Sequence, residues 1–365
     1  MSRKLPIAFG IPPPSTLRRW AAVAAVCLTL LAAQGCLTVP EQLKCDVNGD
    51  VTGQIAPTEP QRPVLASLLP NHRAGPQDSL VAVVDVDGLL LDADSTGLGS
   101  CGENAVSVFR ERLDAIQVNP RVRAVVLRIH SPGGSVTATD IMWHDLQSFR
   151  RRAKVPVVAC LMDVAAGGAY YLATGSDVIV AQPTGVTGAI GCILNVYNLQ
   201  DLMAQFNIVG IPVKAGKNID LGSPIKALDP EGRKVLQAMA DEFHRRFREV
   251  VVKSRPRVNP QMETIFDGRV FTASQARELG LIDEIGYLDD AVATARSLAG
   301  IPRNAEIVFY HRKGDPALSP YSVTPNVPLQ DKLIPVNVPG LNRSRLPSFL
   351  YLWEMDPTVE AITGK

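Results

Sequence analysis

Val122-Arg-Ala-Val-Val-Leu-Arg-Ile-His-Ser131-Pro-Gly-Gly-Ser-Val136 is the stretch that decides the fold. Val122 to Ile129 is a nearly uninterrupted run of branched apolar residues, the pattern of a strand buried on both faces. Ser131-Pro-Gly-Gly-Ser follows directly, and a helical pattern opens behind it and runs over about 135–152. Glycines at a strand-to-helix turn let backbone N–H groups point into a pocket beside a helix N-terminus, where they can bind an oxyanion. Gly133 and Gly134 are therefore candidate oxyanion or substrate-binding positions, although a strand–Pro-Gly-Gly–helix unit alone is equally well a bland turn.

The same rhythm extends to both sides. Val81–Val86 reads as a strand, and Val106, Phe109, Leu113 and Ile116 lie at helical spacing within 103–117. Downstream come a strand over Val155–Leu161, a short helix near 166–174, a strand over Val178–Ala181, a helix near 198–207 and a strand over Ile208–Lys214. Asp229-Pro230 supplies an acidic N-cap followed by proline at the first helical position, so a long helix over 229–254 is expected, with Pro256 and Pro260 beyond its end. Strands alternating with helices imply an α/β fold of βαβ units around a parallel sheet. From about 301 prolines gather, and residues 301–365 read as an extended appendage with one strand, Ile307–Tyr310. The strand and helix pattern shows no internal repeat.

Composition narrows the function. Thirty-seven Lys and Arg stand against 36 Asp and Glu, a net charge of +1, which gives no electrostatic reason to expect nucleic acid as a partner. Residues 1–36 read as an export signal: Arg18 and Arg19 precede an uncharged apolar run, Trp20–Ala33, that is too short to span comfortably. Ala32-Ala33-Gln34-Gly35-Cys36 resembles a lipobox, which implies lipidation at Cys36 and a membrane anchor on the non-cytoplasmic face; an uncleaved signal anchor is the alternative. Residues 37–79, rich in Pro, Gln, Asn and Gly, read as a flexible tether. Six cysteines include Cys45 and Cys101, which can pair in an exported protein, and Cys160, which reads as a small core residue. No Cys/His spacing of a metal site occurs, so neither a metal nor a cofactor is expected.

Four further motifs stand in order behind the Pro-Gly-Gly turn. They are Asp163-Val-Ala-Ala-Gly-Gly-Ala-Tyr-Tyr-Leu-Ala173, Thr184-Gly-Val-Thr-Gly-Ala-Ile-Gly191, Lys214-Ala-Gly-Lys-Asn-Ile-Asp-Leu-Gly-Ser-Pro224 and Asp267-Gly-Arg-Val-Phe-Thr-Ala-Ser-Gln-Ala-Arg-Glu-Leu-Gly-Leu-Ile-Asp283. Together they resemble the signal peptide peptidase A family, serine peptidase family S49, in its compact single-repeat type. The resemblance implies a ClpP/crotonase-like domain over 80–300, ring-shaped homo-oligomers and a Ser/Lys dyad. The family serine lies in an Ala-Ala-Ser-Gly-Gly-Tyr-Tyr-like turn, and the lysine stands just before the Asp of a Gly-Lys-x-Lys-Asp-like segment.

Carried onto this chain, the nucleophile position falls on Gly167 and the general-base position on Ile219, 52 residues apart. Both reactive side chains are missing. No Ser or Thr lies nearer to Gly167 than Thr174, so slipping the register recovers no nucleophile. Gly168 joins Gly133 and Gly134 as an oxyanion or substrate-binding candidate. Lys217, two residues before Ile219, is a weak substitute base, and Ile219 itself reads as core. Ser131, Ser135, Thr187 and Ser223 read by default as turn or capping hydroxyls. Met142, Trp143 and Phe149 read as packing residues, with a protomer interface as the alternative.

The expected function is that of an exported, membrane-anchored S49-like protein that is catalytically impaired. It would bind peptide or signal-peptide segments, or join a mixed ring with an active paralogue. The alternative is an active serine endopeptidase with a relocated nucleophile. An acyl-CoA enzyme of the crotonase type is disfavoured by export away from cytosolic CoA.

Overall fold

The apolar strands at the centre are buried on both faces because both faces are covered. A computed structural model describes residues 64–67 (backbone), 78–93, 104–311, 319, 321 and 349–353. Strands β2 (Leu80–Asp87), β3 (Val122–Ser131), β5 (Val157–Ala166), β6 (Val178–Ala181) and β9 (Glu284–Ile285) run parallel in that spatial order. Beyond β2 lies β10 (Glu306–His311), parallel to it, and then β1 (Val64–Ser67), antiparallel. β7 (Val186–Gly188) continues alongside the end of β5 and pairs antiparallel with β8 (Val270–Thr272). The α/β class and the mainly parallel sheet expected from the sequence are present.

Period-two alternation sorts the strand residues between two cores. Ala82, Val84, Val125, Leu127 and Ile129 join the cluster built with α1 (Ala105–Gln117), α2 (Val136–Ala153), α3 (Gly168–Ala173) and α5 (Pro230–Ser254). Val81, Val83, Ala124, Val126 and Val158 face Leu288, Ala291, Val292 and Ala295 of α7 (Leu288–Ala299). Met142 and Phe149 of α2 are buried in the first core, while half-buried Trp143 packs edge-on to Tyr171 at 5.9 Å. Packing, rather than an interface, accounts for the first two.

Local chemistry sets the helix starts. The Asn104 side chain accepts from the amides of Val106 and Ser107 to cap α1, Ser135 caps α2, and Asp229 accepts from Gly232 N before Pro230 opens α5. The long motif at 267–283 acts in the same way. Thr272 and Gln275 form a capping box for α6 (Ala273–Glu278), and Asp283 accepts from Ile179 N at 2.8 Å and from Arg255, tying the motif to β6.

One expected strand needs revision. Ile208–Lys214 is not a strand: Gly210 and Pro212 interrupt it, no described strand lies beside it, and Val209, Ile211 and Val213 are exposed. It follows a short helix, α4 (Gln200–Gln205). Val64–Ser67, inside the stretch read as a tether, forms β1. The strand expected at Ile307–Tyr310 is present as β10, in the central sheet, and Leu350–Leu352 forms β11, in a two-stranded sheet with β4 (Gly133–Ser135). The export signal, Cys36, Cys45 and Cys101 lie outside the described residues. Cys160 is a free, buried thiol, its pKa pushed up to about 12 by burial. Among the described residues no helix is long and apolar enough to cross a membrane.

Candidate functional site

β5 ends at Ala166, and the chain must turn at once to start α3. Gly167 makes that turn at φ +54 and ψ −122, a backbone conformation that residues with a Cβ rarely adopt. Its amide donates to Gly188 O at 2.9 Å, and its carbonyl accepts from Tyr171 N at 3.0 Å. The turn therefore belongs to both β7 and α3. A side chain here would project from a tight strand-to-helix elbow, the geometry that presents a nucleophile in many hydrolases.

The Pro-Gly-Gly turn meets this elbow. A Cβ on Gly133 would fall 2.8 Å from Gly168 N, and one on Gly168 would fall 3.3 Å from Gly134 N, so Gly133, Gly134, Gly167 and Gly168 converge on one small volume. Gly134 also lies against the backbone of Leu90, with which it forms a bridge. The sequence places these glycines in two separate motifs, and the fold brings them together.

What fills the space between them is a segment the sequence left unassigned. β11 pairs antiparallel with β4, with Leu350 opposite Ser135, Tyr351 opposite Gly134 and Leu352 opposite Gly133. The pairing is extended at both ends, by Val136 N donating to Phe349 O at 3.1 Å and Trp353 N donating to Pro132 O at 3.0 Å. On its other edge, Leu350 exchanges two hydrogen bonds with Ile193, at 2.9 and 3.0 Å. Phe349–Trp353 is thus an extended strand held on both sides.

Its central residue is anchored deeply. The Tyr351 side chain is wholly buried, stacked on Tyr171 at 5.5 Å and tilted against Phe247 at 4.7 Å. Its hydroxyl donates to Phe243 O at 2.6 Å, and Phe349 meets the Phe243 ring edge-on at 5.0 Å. Burial raises the pKa of Tyr351, and also that of Tyr171, whose hydroxyl donates to Asp140 Oδ1 at 2.7 Å. Asp140 is held in turn by Arg246.

The Tyr351 carbonyl sits against the elbow. A Cβ built on Gly167 would overlap the Tyr351 carbonyl oxygen and lie 2.8 Å from its carbonyl carbon and 3.1 Å from Leu352 N. These are its three nearest neighbours. The Tyr351–Leu352 peptide bond occupies the place toward which a side chain at 167 would point.

The position expected for the base differs in character. Ile219 is not a core residue: it is 73% exposed in the turns between α4 and α5. A strand was required to bury it, and none forms there. Lys217 pairs with Glu231 at 2.5 Å on the surface, and that hydrogen bond holds its ammonium above the ordinary lysine pKa, opposite to what a general base needs. The turn is clamped by Asp220, which accepts from Lys214 at 2.8 Å and Lys226 at 2.7 Å.

Those two ammonium groups, Lys214 first, lower the Asp220 pKa to about 2. A carboxylate with a depressed folded-state pKa stabilises the fold above its ordinary value of 3.8, and the contribution disappears as pH falls toward 2. An NMR titration of the Asp220 carboxyl should show a midpoint near 2, and Lys214→Met with Lys226→Met should move that midpoint back upward. A midpoint near 3.8 in the unmodified protein is incompatible with the clamp.

The nearby hydroxyls have structural partners. Ser131 Oγ accepts from Gly133 N at 3.1 Å, Ser135 Oγ accepts from Ala138 N at 3.2 Å, and Thr187 Oγ1 donates to Ala165 O at 2.6 Å. Sequence reasoning missed Thr139, whose buried Oγ1 faces Gly168 without a hydrogen-bond partner among the described residues. It also missed Tyr351, because nothing local distinguishes a docked strand from a loose one in a proline-rich tail.

The profile of peptidase family S49 matches residues 149–302, which include the elbow and the Asp220 turn. The chain is 34% identical over 220 residues to Protease 4 of Salmonella typhi, covering 60% of this chain and 34% of that protein. It therefore spans about a third of that relative. It is 28% identical over 276 residues to the putative signal peptide peptidase SppA of Enterococcus faecium, covering 75% of this chain and 79% of that one. Among solved structures, the 1510-N membrane-bound stomatin-specific protease, as a mutant in complex with a substrate peptide, aligns with a TM-score of 0.40 and 17% identity over 64% of this chain and 92% of that chain. Through residues 149–302 this chain matches the model of peptidase family S49, and it is similar to signal-peptide-peptidase-like proteases.

Proposed function

We propose that this S49 homologue binds extended peptide segments in the groove between β4 and Ile193 and is impaired in cleaving them. One observation carries the reading: at the elbow where a nucleophile would stand, Gly167 offers no side chain, and a peptide carbonyl lies against it instead. Strand addition explains how such a groove binds without chemistry, since backbone hydrogen bonds supply affinity and a side-chain pocket supplies selectivity. Ile219 gives the base position a hydrocarbon in place of an amine, and removing either half of a nucleophile–base pair costs orders of magnitude in rate.

The natural ligands in this reading are exported peptide or signal-peptide segments. Residues 1–36 anchor the protein on the non-cytoplasmic face through Cys36. Assembly with further copies, or with an active paralogue, has a surface to use: Phe206, Ile208, Val209, Ile211 and Val213 are each more than half exposed.

A serine-reactive fluorophosphonate tests the impairment directly. The purified protein should remain unlabelled at concentrations that label an active serine peptidase to completion. Stoichiometric labelling mapped to one Ser or Thr by mass spectrometry sinks the proposal and restores a relocated nucleophile.

A further inference from the structure

The groove is already occupied by the chain itself. We propose that Phe349–Trp353 is the resident ligand of the peptide groove, that the pocket at its centre selects tyrosine, and that an incoming peptide binds by displacing this segment. The inference rests on the peptide-binding reading above and names what the site recognises.

The occupancy has the form of a ligand rather than of a core strand. β11 is three residues long and belongs to none of the central strands; it touches β4 on one edge and the single residue Ile193 on the other. Its backbone bonds are those any extended peptide can make: Leu350 N to Ile193 O, Trp353 N to Pro132 O, and its carbonyls at 349 and 350 to Val136 N and Ile193 N. Only one side chain of the five is fully buried, and that is Tyr351. Leu350 and Leu352, on either side of it, are only partly covered.

The Tyr351 pocket reads a phenol. Its walls are the rings of Tyr171 and Phe247, which accept any flat six-membered ring. Its end is the Phe243 carbonyl, which takes a hydrogen bond from a hydroxyl at the para position and from nothing on a phenylalanine. A phenylalanine peptide loses that bond, and an alanine peptide leaves the pocket empty. A tethered segment competes at an effective concentration on the order of millimolar, so it masks the groove from weak ligands and yields to better ones.

The test uses the full chain and a fluorescein-labelled peptide, Phe-Leu-Tyr-Leu-Trp followed by three lysines for solubility, read by anisotropy. Leu350→Pro removes the amide that donates to Ile193 O and should loosen the resident segment without touching the groove. The peptide should bind this variant about tenfold more tightly than it binds the unmodified protein. Replacing the peptide tyrosine by phenylalanine should weaken binding about fivefold, and by alanine far more. In the unmodified protein, saturating peptide should speed hydrogen exchange at the amides of Leu350 and Trp353, a measurement that needs no substitution.

The outcomes separate the two claims. Equal affinity for both proteins, with no change in exchange, overturns the resident-ligand inference and leaves the peptide groove standing. Equal binding of tyrosine and phenylalanine peptides overturns the tyrosine selectivity. If neither protein binds any peptide while circular dichroism shows both folded, the peptide-binding reading itself fails.

Discussion

Gly167→Ser, which places a hydroxyl at the proposed nucleophile position, is expected to unseat β11 rather than to create a working site in place. A Cβ at 167 would overlap the Tyr351 carbonyl oxygen, and that neighbour is backbone, which cannot swing aside as a flexible side chain would. The elbow itself resists the change, because φ +54 with ψ −122 costs a residue with a Cβ about 1–3 kcal/mol. Relief is available on one side only. β5, β7 and α3 hold Gly167 through the sheet register and through the bonds to Gly188 and Tyr171, whereas Phe349–Trp353 is held by a handful of backbone bonds and the side chains of Tyr351 and Phe349. The weaker partner moves. Amide exchange at Leu350 and Trp353 should accelerate about a hundredfold, and the emission of Trp353 should shift to the red. Gly167→Ala should do the same, since the methylene carbon makes the overlap. Unchanged protection of both amides in a folded Gly167→Ser protein is the result that contradicts this arrangement. Any attempt to rebuild catalysis with Ile219→Lys therefore meets a tail that must leave first, and a lysine placed at 219 would join a turn where Asp220 already holds Lys214 and Lys226.

Much of this frame is legible from residue pattern alone. β2, β3, β5 and β6 announce themselves because a parallel sheet covered on both faces needs continuous apolar runs, and α1, α2 and α5 carry caps as well as period. Gly133, Gly134, Gly167 and Gly168 are readable for a related reason: each stands where a Cβ would strike backbone or a packed side chain, so the sequence shows glycine in a motif rather than at random. Ile219 fails differently. A branched apolar residue near a β-branched run reads as buried, but burial depends on a neighbouring element, and sequence pattern cannot say that none arrives. The short strands β4, β7 and β11 are invisible for the converse reason. Their conformation is imposed by long-range partners, and three residues carry no period of their own. Tyr351 combines both difficulties, being fully buried and lying more than 180 residues from the elbow it covers.

The other large effect concerns the sheet that aims β4 at the elbow. Asp85 on β2 and Arg128 on β3 are register partners, and their side chains form an ion pair at 2.6 Å with only 2% and 5% of each exposed. Both project to the α7 face, where the guanidinium also lies over the Phe309 ring of β10 at 5.4 Å from its centroid. One charged pair thus joins three adjacent strands inside an apolar layer. Removing the cation alone takes away the guanidinium that neutralises this buried carboxylate, so Arg128→Leu should lower unfolding free energy by about 3–5 kcal/mol in urea denaturation. Asp85→Leu together with Arg128→Leu should be considerably less damaging, because a hydrophobic pair carries no buried charge. A loss under about 1 kcal/mol for Arg128→Leu, or additive losses in the double variant, would show that the pair contributes little. The site should register the difference as well. β3 ends at Ser131, whose hydroxyl accepts from Gly133 N, so slackening of β3 against β2 is transmitted within two residues to the glycines that hold the tail. The Arg128→Leu protein should therefore lose amide protection at Trp353, which bonds to Pro132 O, before it loses protection at Val158 in the middle of β5.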